Sequence, residues 1–74
     1  MMIYIGNMPV GRNVRKLRRR RRISLALMAK LTGLPYLMLC GMEMGFVRDM
    51  DYLHLHALCD VLNLKLEDLT EKKW

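Results

Sequence analysis

From Val10 onward, apolar residues recur at spacings of three and four, the period of a helix buried on one side. Val10, Val14, Leu17 and Arg21 share the first such face, and basic residues fill most of the remaining positions. Ser24 can cap a second helix, because its hydroxyl accepts a bond from a first-turn amide. Met28 and Ala29 follow, and Gly33 ends that helix by entering a left-handed conformation without a Cβ clash. The spacing predicts a third helix over Tyr36 to Met44, with Leu39 and Met42 inward and Gly45 as its stop. Asp51 caps a fourth, whose inner face is Tyr52, Leu55, Leu58, Cys59 and Leu62, and Asn63 closes it. Leu66 and Leu69 mark a short fifth helix, with Glu67 and Asp68 near its positive end. Ahead of the helices, Met2-Ile3-Tyr4-Ile5 is β-prone and is cut off by Gly6, Asn7 and Pro9. Too short for a sheet of its own, it is expected to pair with the same segment of a second copy or to fray. The pattern thus predicts an all-α fold of five short helices over residues 10–74. Residues 1–9 form an N-terminal arm or dimer strand.

At 74 residues the chain has room for one small domain. A content of 53 % hydrophobic residues excludes a disordered basic tail. Cys40 and Cys59 are too few for a disulfide scaffold, and a reducing compartment fits them. The net charge of +6 hides an asymmetry: residues 1–48 carry +9 and residues 49–74 carry −3. Eight of the 13 basic residues lie between Arg12 and Arg22, and such clustering points to a polyanion, nucleic acid first. The basic run followed by the apolar stretch Ile23–Phe46 imitates a signal peptide or anchor. However, Lys30 and Glu43 interrupt it, Gly33, Pro35 and Gly41 lie within it, and a spanning helix needs about 20 predominantly apolar residues. No small-residue cleavage site follows. The expectation is a cytoplasmic protein without a membrane association.

The informative spacing is central. Ala29 lies four residues before Gly33, then comes Leu34, then a short helix with Leu39 and Met42 inward. A small residue lets two helices approach, and the glycine turns the chain sharply between them. This describes a helix-turn-helix, whose second helix enters the major groove. In the order "VGRNVRKLR", "ISLALMAKLTGL", "LCGMEMG" and "LNLKLEDL", the chain from about Val10 to Leu69 resembles the Cro/repressor-type helix-turn-helix family, also called XRE. The resemblance implies a lambda-repressor-like five-helix domain and a DNA-binding transcriptional regulator, commonly dimerising through the last helix (Leu64, Leu66, Leu69). It also implies that Arg18 and Glu43 form a partly buried ion pair between helices 1 and 3, a structural lock and not a DNA contact. The stretch from Gly45 to Asp51 is slightly longer than the commonest family pattern.

The departures lie on the reading surface. Where the family carries polar residues, this chain has Leu25, Pro35, Tyr36, Leu37, Met38, Cys40 and Gly41. Base edges in the major groove present donors, acceptors and the thymine methyl, and leucine or methionine can touch only the methyl. Arg22 stands at the family's usual left-handed glycine, and Pro35 at its usual capping serine, so one position is strained and one cap bond is missing.

Two functional readings follow. In the first, the protein is a homodimeric regulator of double-stranded DNA. Arg12, Arg15, Arg19, Arg20 and Arg48 contact phosphates; Leu25, Tyr36, Leu37, Met38 and Gly41 lie at the groove, with weak or shape-based specificity. In the second, Leu25, Tyr36, Leu37, Met38 and Met44 form an apolar surface for another protein, as in an antirepressor or a regulator's partner. His54 and His56 point to different helix faces and the cysteines lack ligand spacing, so no metal site is expected. No nucleophile–base set can be assembled, and neither an enzyme nor a cofactor is expected. Trp74 is either frayed or an aromatic anchor for a dimer.

Overall fold

The computed structural model describes all 74 residues. In chain order they form β1 (Met2–Tyr4), α1 (Val10–Arg20), α2 (Leu25–Thr32), α3 (Tyr36–Met44), β2 (Asp49–Asp51), α4 (Tyr52–Leu62) and α5 (Leu66–Thr70). The helix ends are set by local chemistry. Ser24 Oγ accepts from the Leu27 N–H at 3.0 Å, and Asp51 Oδ1 from the Leu53 N–H at 2.9 Å. Gly33, Gly45 and Asn63 close α2, α3 and α4 in the left-handed region. Arg22, where the resemblance implies a left-handed residue, has φ of 56°. Pro35 precedes α3 with no side-chain cap bond, so the first amides of α3 have no capping side chain. Thr32 knits the turn between α2 and α3: its hydroxyl donates to the Met28 carbonyl and accepts from the Leu34 N–H.

One core joins all five helices. Val10, Val14 and Leu17 of α1 meet Met28 of α2 and Leu39 and Met42 of α3. Leu55, Leu58, Cys59 and Leu62 of α4 and Leu69 of α5 complete it. Burial also pushes the Cys59 thiol pKa up, so this thiol stays neutral. Arg21, the polar member of the first predicted face, uses its guanidinium differently. It donates to the Leu62 carbonyl and so caps the C-terminal end of α4.

The N-terminal segment differs from expectation. It does not wait for a second copy: β1 pairs antiparallel with β2 of the same chain, in the register Met2 with Asp51, Ile3 with Met50, Tyr4 with Asp49. The Ile5 N–H extends the ladder to the Arg48 carbonyl at 2.7 Å. Ile3 and Met50 lie opposite each other on the inward face, and Met50 and Ile5 are buried in the core. Burial of this face favours the internal pairing over an exposed arm. The longer stretch before Asp51 supplies the second strand.

The C-terminus is likewise tied back onto the domain. Asn13 is fully buried and donates from Nδ2 to the carbonyls of Leu69 (2.8 Å) and Lys72 (2.6 Å). The Trp74 indole N–H donates to the Asp68 carbonyl at 2.8 Å, Lys16 Nζ reaches the Trp74 carbonyl, and Lys72 lies over the ring. Trp74 is therefore not frayed; satisfying its N–H within its own chain holds it.

Candidate nucleic-acid interface

Three close approaches build the surface around α3. The first is between backbones: a Cβ on Gly11 would stand 2.2 Å from the Met42 carbonyl oxygen, so only glycine lets the start of α1 touch the end of α3. That contact brings Arg12 beside α3. The second is the Arg18–Glu43 pair. Arg18 Nε and Nη2 donate to the two Glu43 oxygens at 2.9 Å each, and Nη1 donates to the Ile23 carbonyl at 3.0 Å. Only 12 % of the Arg18 side chain and 6 % of the Glu43 side chain remain exposed. The hydrogen bond to Glu43 raises the Arg18 pKa against the opposing effect of burial, so the guanidinium stays charged. The third is the β-ladder bond that holds the Arg48 backbone against Ile5.

These contacts shape two adjoining concavities that share Glu43 and Met44. One, of about 510 Å³, has Arg12 and Arg48 on its lining with Tyr4, Met8 and Val47. The other, of about 300 Å³, has Arg15, Arg19, Leu25 and Cys40 around the ion pair. Arg12, Arg15 and Arg19 are spaced three and four apart and so form one ridge along α1. Arg20 is not brought into this set. Five residues after Arg15, it lies about 140° round the helix, because each residue turns the chain by about 100°.

Along α3 the expected groove residues separate. Leu37 is 83 % exposed, Tyr36 is about half exposed, and Met44 is exposed at the far end. The Tyr36 phenol interacts with the Cys40 thiol one turn on, which raises its pKa. Met38 and Leu25 are half-buried and pack partly on the core. Gly41 is not an open groove position: a Cβ there would meet Val47 Cγ2 at 2.7 Å, and the Gly41 carbonyl accepts from the Phe46 and Val47 amides. Its role is to let the strand-bound loop close over α3. On α2, Leu27 and Leu31 are exposed beside Lys30.

Residues 13–72, which hold the helix pair and its glycine turn, match the Cro/C1-type HTH DNA-binding domain. The chain belongs to this family. In fold, this Cro/C1-type domain is similar to the N-terminal DNA-binding domain of SinR from Bacillus subtilis, with a TM-score of 0.78 and 20 % identity over 82 % of this chain and 88 % of that one. It is also similar to a chain of the SinR protein/SinI protein complex, with a TM-score of 0.80 and 19 % identity over 85 % of this chain. It spans 61 % of that longer chain. The restriction-modification controller protein C.AhdI from Aeromonas hydrophila gives a TM-score of 0.75 and 24 % identity over 84 % of this chain and 92 % of that one. No curated protein matches the chain in sequence. No helix of this Cro/C1-type domain is long and apolar enough to cross a membrane.

Several residues that shape this surface escape a reading of the chain alone. Tyr4 and Met8 line the concavity of Arg12 and Arg48 although nothing charged precedes Arg12. The signal that could have found their placement is the alternation Asp49-Met50-Asp51, polar, apolar, polar, which is strand-like and matches Met2-Ile3-Tyr4 in length. Asn13 carried no signal, since a lone asparagine in a basic helix reads as surface.

Proposed function

We propose that this chain is a transcriptional regulator that binds duplex DNA with α3 in the major groove and α1 along the phosphate backbone. The observation that carries the reading is the ring of four arginines, Arg12, Arg15, Arg19 and Arg48, around the two concavities beside α3. Their charges suit phosphate oxygens, while Arg18 is occupied by Glu43. Tyr36 and Leu37 lead at the groove; Leu25 and Met38 are half-buried and contribute less, and Gly41 is covered by Val47. The longest dimension of the domain is 26 Å, less than the roughly 34 Å of one DNA turn. One copy therefore covers one half-site, and a homodimer would place two α3 helices on successive turns. The test is the affinity for duplex DNA across salt concentrations. Each neutralised phosphate contributes a slope of about −0.9, so four arginines give a slope of log K on log[salt] near −3 to −4 per copy. Absence of duplex binding at low salt would refute the reading.

A second reading is favoured by the exposure of Leu27, Leu31, Leu37 and Met44. Here the apolar face of α2 and α3 binds another protein, whose contact would regulate DNA binding. A chain of similar fold is known in a SinR protein/SinI protein complex. Leu31→Asp with Leu37→Asp, both at exposed positions, should abolish such a complex while leaving the circular dichroism spectrum unchanged. A complex that survives both changes would exclude this face.

A further inference from the structure

We infer that Leu37 reads DNA by seating its side chain against the 5-methyl group of thymine, so that the chain prefers duplexes rich in thymine methyls. This rests on the reading that α3 occupies the major groove. The recognition helix of a helix-turn-helix contacts base edges with its N-terminal residues, and Leu37 is the second residue of α3. It is also the most exposed of the large apolar side chains. Most of the other candidates on α3 are withdrawn from that role. Met38 packs partly on the core, Gly41 lies under Val47 and Cys40 lines the concavity between α1 and α3, which leaves the half-exposed Tyr36 as the one neighbour of Leu37 at the groove. The leading group at the groove is then a branched hydrocarbon with no donor or acceptor. Among major-groove edges only thymine offers it an apolar counterpart. Against a G·C pair it would take water from N7, O6 and N4 and return no hydrogen bond. The arginines on α1 and before β2 supply attraction without sequence preference, so discrimination falls to the start of α3, where Leu37 is the most exposed side chain.

The experiment compares four short duplexes by fluorescence anisotropy at one salt concentration. They are alternating dA and dT, the same with deoxyuridine for thymidine, alternating dG and dC, and the same with 5-methylcytosine. Deoxyuridine removes only the methyl, and 5-methylcytosine places one at the corresponding position. Burying one methyl group corresponds to about a four-fold gain in affinity. The thymidine duplex should therefore bind about four-fold more tightly than the deoxyuridine duplex for each methyl contacted, and cytosine methylation should tighten binding. Leu37→Ala, at an exposed position, should remain folded by circular dichroism and bind the thymidine and deoxyuridine duplexes alike. Equal affinity of the unaltered chain for those two duplexes overturns the inference while leaving the docking reading intact. So does a methyl preference that persists in full in Leu37→Ala. Failure to bind any of the four duplexes, with the measurement repeated at low salt, removes the docking reading and the inference with it.

Discussion

Replacing Glu43 by alanine tests how α1 is held to α3. In the folded chain the Glu43 carboxylate accepts both hydrogen bonds of the Arg18 fork, at 2.9 Å each, with little solvent on either side chain. Glu43→Ala leaves a mostly buried guanidinium beside Arg15 and Arg19 with no carboxylate to compensate it. Arg18 keeps only its bond to the Ile23 carbonyl. Breaking one partner of a buried pair costs about 3–5 kcal/mol. The 12 % of Arg18 still exposed argues for the lower end, about 3 kcal/mol. A chain of this length has a total stability of about 4–11 kcal/mol, so the change removes a large share of it. The melting temperature should fall by about 12–24 °C, at roughly 4–8 °C per kcal/mol. Urea unfolding followed by circular dichroism measures the loss directly. The informative companion is Arg18→Met with Glu43→Leu, which removes both charges at similar volume. Because the penalty comes from an uncompensated charge, the double variant should be clearly more stable than Glu43→Ala. Loss of less than about 0.5 kcal/mol in Glu43→Ala would refute the reasoning, since that is the scale of an ordinary surface substitution. A double variant no more stable than the single one would show that the pair itself, and not the orphaned charge, carries the energy.

Gly11→Ala should destabilise by about 1–3 kcal/mol although alanine is the better helix former, because its Cβ would meet the Met42 carbonyl at 2.2 Å; a raised melting temperature would refute the close approach. Asn13→Ala should release the C-terminal turn and cost about 1–3 kcal/mol, leaving two carbonyls without their buried donor. Trp74 is the only tryptophan, so its fluorescence maximum should shift to the red as that turn frees, and an unchanged spectrum would contradict the docking. The Asp51 carboxylate is held below the usual carboxyl range, first by its hydrogen bond from the Leu53 N–H and then by the nearby amino terminus. A depressed folded-state pKa gives stability that is fully present above the unfolded carboxyl pKa of about 4 and is lost as pH falls through the lower folded value. Asp51→Asn should flatten that part of the acid-unfolding curve, and an unaltered acid limb would show that the cap's charge contributes nothing.

The sequence by itself determined what depends on neighbours a few residues away. Ser24, Gly33, Gly45, Asp51 and Asn63 mark helix ends because capping and left-handed turns are satisfied within one turn of chain. The apolar period likewise fixed the inner faces, and the glycine turn with its small-residue partner pointed to the helix-turn-helix. The reading surface was legible as a set of residue types, basic on α1 and apolar on α3, but not as an arrangement. Only tertiary structure decided which arginines gather beside α3, that Gly41 lies beneath Val47, and that Leu37 is the most exposed of the large apolar side chains. It also decided that β1 closes on β2, and that Asn13 and Trp74 tie the C-terminus to α1. Each of these pairs groups far apart along the chain. Their energies come from burial and from hydrogen bonds completed only when the core has formed. A periodic pattern records which face of an element is buried; it does not record which element covers it.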